Sequence, residues 1–412
     1  MVSIWDIRLK RFAGGCVKSA DAQMGVIGVA VARRGVWRAY LNNAASGYPK
    51  APGVIEAVVR VLSQSPEHPG RATASAEDVL TDCRMRCAAY LGVRKASRIV
   101  LTAGATQALN MGISGLRLKR GSLVVTTVTE HNSVLRPLNH LVRTTGIRLS
   151  IVGLAEDGAL DAETISKELE REPALVVFNH ASNVTGRIND VSHWFSKAKA
   201  VGAVTMLDAS QTAGLIPVNP DDLHADLTAF PAHKGFHGPP GIGVLYVAEG
   251  IDLEPLIVGG TGVRSDLPYQ PEDMPARLEA GTPNVPAAAG FAAALDWATG
   301  LDSGARERAE RVAVTLRKGL LEIPNVKVFD GKSGAQQIGV VSFVVKGWTV
   351  EEMGYVLQEC YGIACRTGLH CAPLIHRAIG SDPEGTVRFS TSAFTSEEEV
   401  AVALDAVRGL AA

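Results

Sequence analysis

An excess of charge of either sign is missing from this chain. Its 412 residues carry 41 Lys and Arg against 42 Asp and Glu, a formal net charge of −1. Nothing in that balance draws the protein electrostatically to nucleic acid or to an anionic membrane, so small molecules and other proteins are its expected partners. Cysteine is scarce as well. The six cysteines, at positions 16, 83, 87, 360, 365 and 371, do not form the pattern of a disulfide framework. That usage suits a reducing cytoplasm, and no CxxC or His-rich spacing points to a metal. Long apolar runs are missing too. The longest near the start, Gly25 to Ala32, is too short to span a bilayer, and Asp6, Arg8, Lys10 and Arg11 before it do not make a signal peptide. No internal repeat or low-complexity tract stands out.

What remains is an ordinary globular balance, 46% apolar and 20% charged, on a chain long enough for about two domains sharing a cleft. Strand-like runs at Ile99–Thr102, Leu123–Thr127, Arg148–Val152, Ala174–Asn179, Ala203–Leu207, Leu227–Phe230 and Gly243–Val247 alternate with helical stretches such as Gln107–Leu116 and Val191–Ala200. This rhythm predicts a mostly parallel sheet with helices on both faces, and the Gly241-to-Gly250 segment adds an antiparallel strand. The helical runs Ala287–Thr299 and Arg306–Leu321 lead into a second α+β unit containing Val340–Val345 and Thr386–Ser390. Glu307, Arg308, Glu310, Arg311 and Lys318 form the solvated face of the second of these helices. Expected boundaries are an extension over 1–38 with no legible role, a first part of the small domain over 39–60, a large domain over 61–285, and the rest of the small domain over 286–412.

Several strand ends carry chemistry. Lys234 stands in Phe230-Pro231-Ala232-His233-Lys234-Gly235, where a short strand opens into the turn Gly238-Pro239-Pro240-Gly241. A lysine desolvated at such a place can lose its proton and form a Schiff base. Asp208 ends the preceding strand, and functional groups of open α/β sheets gather at carboxyl ends of strands. A carboxylate and an amine converging on one crevice is what pyridoxal phosphate requires: one keeps the pyridine nitrogen protonated and the other holds the aldehyde. Each alone is equally a helix-capping aspartate and a surface lysine. Ala103 to Asn110 opens an apolar helix with small residues and a hydroxyl, a pattern that serves an anion at the helix N-terminus or simply caps it. The strand Leu123–Thr127 delivers Glu130-His131-Asn132-Ser133, whose histidine either lies flat on an aromatic ring or is a polar loop residue.

Taken together, Tyr40 to Ala45, Thr129 to Asn132, Asn179 to Gly186, Leu207 to Gln211, His233-Lys234 and Leu278 to Asn284 resemble the class V aminotransferase-fold enzymes, in the family's order. The ending Arg366 to Pro373, followed by Val387 to Ser390, narrows the resemblance to the group II cysteine desulfurases and selenocysteine lyases. The match runs from about Ala39 to near the C-terminus. It implies a pyridoxal-phosphate-dependent transferase of fold type I, with a mostly parallel seven-stranded sheet in its large domain and a smaller α+β domain. It further implies Lys234 as the Schiff-base lysine, Asp208 as the pyridine-nitrogen partner, Gln211 as a donor to the phenolic oxygen and His131 as the stacking base. Ala105, Thr106 and His233 fall at the phosphate, and Thr282 reaches it from the other subunit of a homodimer. Arg388 clamps the substrate carboxylate, as its bidentate guanidinium chemistry suits. Asn183 lies beside it, and Asn43 and Arg366 complete the substrate site.

Cys371 chooses between reactions. A desulfurase needs a thiolate to attack the sulfur of L-cysteine, leaving alanine and an enzyme persulfide. His370 and Arg366 are expected to favour that thiolate, and the short loop Gly362 to Pro373 goes in this group with a separate sulfur-acceptor protein. Cys365 in the same loop is a resolving thiol, a metal ligand or neither. Asn42 stands where an aspartate is frequent, Pro231-Ala232 replaces a hydroxyl-glycine pair, and Pro69 to Ser75 holds no histidine; these departures bear on substrate preference and rate. The leading reading is a cysteine desulfurase. Its alternatives are a selenocysteine or C–S β-lyase on the same cofactor, with Cys371 dispensable, and a catalytically quiet scaffold in a sulfur relay.

Overall fold

The computed structural model describes residues 37–64, 74–329 and 335–412. The expectations for residues 1–36, and most of the Pro69 to Ser75 segment, lie outside them.

The chain begins with β1 (Ala39–Tyr40), α1 (Val54–Leu62) and α2 (Ala74–Leu91). An alternating series follows: β2 (Ile99–Thr102), α3 (Ala105–Gly115), β3 (Leu123–Thr127), α4 (Asn132–Thr144), β4 (Arg148–Val152), α5 (Ala162–Leu169), β5 (Leu175–Asn179), α6 (Val191–Ala200), β6 (Val204–Asp208), β7 (Leu227–Pro231) and β8 (Gly243–Val247). These strands form one seven-stranded sheet in the order β2-β8-β7-β6-β5-β3-β4. β8 is antiparallel to both its neighbours, and the other pairings are parallel.

The strand sequences explain that order. β3, β5, β7 and β8 are buried at every residue, as strands covered on both faces must be. β4 carries Arg148 and Ser150 and is largely exposed, which suits the edge it occupies. Side chains alternate between faces. Leu123, Val125, Val176 and Phe178 enter one core with α2, α5 and α6, while Val124, Leu175, Val177 and Met206 enter another with α3 and α4.

The remaining elements are α7 (Val285–Gly300), α8 (Ser303–Leu321), β9 (Val326–Val328), β10 (Val340–Val345), α9 (Val350–Glu359), β11 (Ile363–Ala364), β12 (Arg366–Gly368), α10 (Pro373–Ile379), β13 (Thr386–Ser390) and α11 (Glu397–Ala411). A second sheet runs β12-β13-β10-β9, all antiparallel, and β1 pairs in parallel with β11. Its core joins α8, α9 and α11 to Ala39 and Leu41 from the start of the chain. α7 begins where the second unit was expected to, yet its alanines, Phe291 and Leu295 bury against the core of the large sheet. Through Arg366 and Arg388, the second sheet contributes a wall to the cleft at the carboxyl ends of the large one.

Candidate active site

Four strand ends build the floor. β6 finishes on the buried Asp208, whose Oδ1 accepts the Ser210 backbone N–H at 2.9 Å. β7 finishes on Pro231, and the chain turns through Ala232 and His233 to Lys234. β2 gives way at Gly104 to α3, which has no side-chain cap at its N-terminus, so the first-turn N–H groups at Ala105 and Thr106 lie where an anion is favoured. β3 leads to His131, the N-cap of α4. All border one cavity of about 620 Å³.

That cavity brings together Ala105, Thr106, His131, Asn183, Asp208, Gln211, His233, Lys234, Arg366 and Arg388. Burial holds the Lys234 ammonium down at about 8, against the pull of Asp208 and with help from Arg388 and Arg366. About a tenth of it is therefore free amine at pH 7, far more than for a lysine at its ordinary pKa. Burial and then the Lys234 charge push His131 down to about 4. Its Nδ1 accepts the Ser133 backbone N–H at 3.1 Å, so the neutral ring carries its proton on Nε2. His233 is held neutral in the same way, at about 4. Gln211 donates from Nε2 to the Ala44 carbonyl at 3.1 Å.

Arg388 is 1% exposed and donates from Nη1 to the Asn183 carbonyl at 2.9 Å. Its Nε and Nη2 are buried without partners, and so is Asn183 Oδ1. Buried donors of this strength are rarely orphaned. Burial and the neighbouring Arg366 push the guanidinium down to about 9, and an arriving carboxylate would oppose both effects. Arg366 faces Arg388 in register across β12 and β13. Its Nη2 also lies 3.5 Å from Cys371 Sγ, which ties the thiol to the cavity.

Cys371 itself is exposed and outside the cavity lining. Its carbonyl accepts the Asn132 N–H at 2.7 Å, and both His370 and Cys371 have left-handed backbone, φ 48° and 57°. Such a pair persists only where its surroundings hold it. His370 departs from expectation. Its buried Nε2 contacts the Thr386 hydroxyl at 3.0 Å, and burial keeps the ring neutral, so the cation beside the thiol is Arg366 alone of the two. Cys365 is buried near Gln358, and burial raises its thiol to about 11, the environment of an inert cysteine.

Two expected residues stand apart. Thr282 is exposed and does not line the cavity. Asn43 does not line it either: its Nδ2 donates to the Tyr40 and Ser390 carbonyls and its Oδ1 accepts the Tyr48 N–H, which pins the loop carrying Ala44 and Ala45 to β13. Gln107, Asn110 and Asn179 line the cavity without having been singled out. All three lie inside the motif segments Ala103 to Asn110 and Asn179 to Gly186, but polar residues of these types are common at strand and helix ends and nothing marked them individually.

With this geometry in place, comparison with known proteins is specific. A sequence profile described as "Aminotransferase class-V" matches residues 39–402, and the chain belongs to that family. Within it, the relatives are cysteine desulfurases. A "Probable cysteine desulfurase 2" of Mycobacterium leprae is 34% identical, over 90% of this chain and 91% of its own. A "Cysteine desulfurase" of Pectobacterium carotovorum is 32% identical, over 88% and 90%. Among solved structures, the apo cysteine desulfurase from Thermococcus onnurineus superposes with a TM-score of 0.84 at 32% identity, covering 90% of this chain and 94% of that one. The Escherichia coli cysteine desulfurase CsdA, in its S-sulfonic acid form, gives 0.81 at 28%, with the same coverage.

Proposed function

We propose that the protein is a pyridoxal-phosphate-dependent cysteine desulfurase that converts L-cysteine to L-alanine and carries the sulfur on Cys371. The observation that carries this reading is the line Arg388–Arg366–Cys371: a buried carboxylate clamp with two unfilled donors, beside a cation that touches an exposed thiol. The donor set fits the cofactor. Lys234 has the depressed amine that an aldehyde needs, Asp208 a buried carboxylate for a ring nitrogen, and α3 an uncapped N-terminus for a phosphate. When bound, pyridoxal phosphate supplies an electron sink for the substrate's carbon skeleton.

The chain's own groups then divide the work. Arg388 Nε and Nη2 orient the α-carboxylate, with Asn183 beside them holding the Arg388 guanidinium through its carbonyl. Lys234 moves a proton at the α-carbon, since its amine is poised near working pH. Arg366 favours the Cys371 thiolate, which attacks the substrate sulfur. The Sγ–S bond forms as the substrate C–S bond breaks, the carbon keeps the electron pair and takes a proton, and alanine leaves a Cys371 persulfide.

A cytoplasmic, reducing setting belongs to this proposal, because Cys371 must return to a thiol. So does a protein sulfur acceptor, because the backbone bond to Asn132 fixes the thiol at the surface and the acceptor must come to it. A homodimer is the third part. Val258 and Tyr269, 70% and 81% exposed, lie between the cavity-lining Leu256 and Thr282, and apolar exposure on that scale is expected to be covered.

The test compares wild type with Cys371→Ala on L-cysteine and L-selenocysteine, measuring alanine and protein-bound persulfide. Alanine from cysteine should fall at least about 100-fold in the variant while selenocysteine is still consumed, with persulfide only in wild type. Undiminished cysteine turnover, or pyruvate in place of alanine, would leave a lyase.

A further inference from the structure

Glu130 has no part in the chemistry above, yet it is completely buried beside the floor of the cavity. Its Oε1 accepts the Thr127 hydroxyl at 2.8 Å and the Asn179 backbone N–H at 2.9 Å, and its Oε2 has no partner. Asn179 ends β5 in register with Asp208, which ends β6, and both line the cavity. The Asn179 amide is locked in turn. It donates to the Thr129 carbonyl at 2.6 Å and accepts from Thr129 Oγ1 and Asn189 Nδ2.

The charges around this acid are of one kind. From β6, Asp208 acts on it, and among the described residues no cation does. His131, next along the chain, and His180, following β5, are both held neutral at about 4 by burial. The Lys234 charge falls on Asp208 and His131 instead. The two donors on Oε1 favour an ionised Glu130, but complete burial, an Oε2 without a partner and the like charge of Asp208 oppose it, and burial, the largest of these effects, makes the neutral acid the favoured form.

We propose that Glu130 is a positioning residue that works as a neutral acid. In either state its Oε1 ties the end of β5 to β3; protonated, it adds no charge to that of Asp208, and ionised, it adds a second negative charge beside it. Burial, with the Asp208 charge adding to it, places this change at about 8. The consequence for catalysis rests on the reading of Asp208 as the ring-nitrogen partner. The consequence for stability does not.

An acid whose folded pKa lies above its unfolded one keeps its proton in the fold after the unfolded chain has lost it. Its contribution is whole below the unfolded carboxyl range and falls as pH rises toward about 8. Glu130→Gln mimics the neutral acid at every pH. The cofactor-free variant should melt with wild type near pH 5 and several degrees above it at pH 8, whereas Glu130→Ala, which orphans the Asn179 N–H, should melt lower at both. In the holoenzyme, the ratio of cysteine turnover at pH 9 to that at pH 7 should be at least 3-fold larger for Glu130→Gln than for wild type. A melting difference independent of pH overturns the neutral acid, and an unmoved ratio overturns the positioning role. Absence of cysteine turnover in both proteins at every pH counts against the desulfurase reading and leaves the melting comparison to decide.

Discussion

Arg388 combines two properties that rarely coexist: it is among the largest fully buried side chains of the molecule, and two of its nitrogens have no partner. Its planar fork suits a carboxylate in a way that an ammonium does not. Arg388→Lys should therefore raise KM for L-cysteine by about 10- to 100-fold, because a point charge recovers Coulombic attraction without the paired hydrogen bonds. Steady-state kinetics checks this, and the melting temperature separates it from misfolding. Its neighbour His370 teaches the converse lesson. Adjacent to Cys371 in sequence, it turns its ring into Thr386 and His376 and leaves the thiol to Arg366.

At the scale of elements, the floor depends on two turns staying in contact. Gly214, in the turn after β6, has φ +86°, and a Cβ there would lie 2.5 Å from the Gly235 carbonyl carbon. Gly214→Ala should cost at least about 1–2 kcal/mol from the left-handed backbone alone. The clash should also separate the turn bearing Gln211 from the one bearing Lys234, so thermal melting and cofactor retention should fall together. Most of these elements are legible in the sequence, for β-branched runs such as Leu123–Thr127 and Val340–Val345 have little choice of structure. Strand ends displaying Asp208 and Lys234 are legible for the same reason. The register Arg366↔Arg388 is not, since pairing between residues 22 positions apart (388 − 366) leaves no mark in either segment. Nor are the orphaned nitrogens of Arg388 or the missing partner of Glu130, because burial is a property of neighbours that the local sequence does not name.

At the scale of the molecule, the exposed apolar side chains Val258 and Tyr269, which follow the cavity-lining Leu256 in sequence, call for a covering surface. On the proposed homodimer, a second copy of the chain would cover these residues and bring its Thr282 to the cavity. Val258→Asp should shift the protein toward monomer in sedimentation velocity, with cofactor occupancy falling in parallel. A monomer that keeps full cofactor would remove Thr282 from the site. The smaller sheet has its own core, fed by Ala39 and Leu41, and lends the cleft its arginines.

The antiparallel pair β12–β13 also separates two kinds of inheritance. The proposed carboxylate clamp Arg388 sits on β13, in the middle of a sheet, where a slip of one residue would turn it out of the cavity. The proposed sulfur carrier Cys371 hangs from the free end of β12, on the edge of that sheet, in the segment Leu369 to Ala372. Loops at such edges lengthen, shorten and exchange with little effect on the strands that carry them. If Cys371 carries the sulfur, a descendant of this protein can change its recipient by redrawing a few loop residues, while the side chain proposed to recognise the amino acid stays fixed by the sheet.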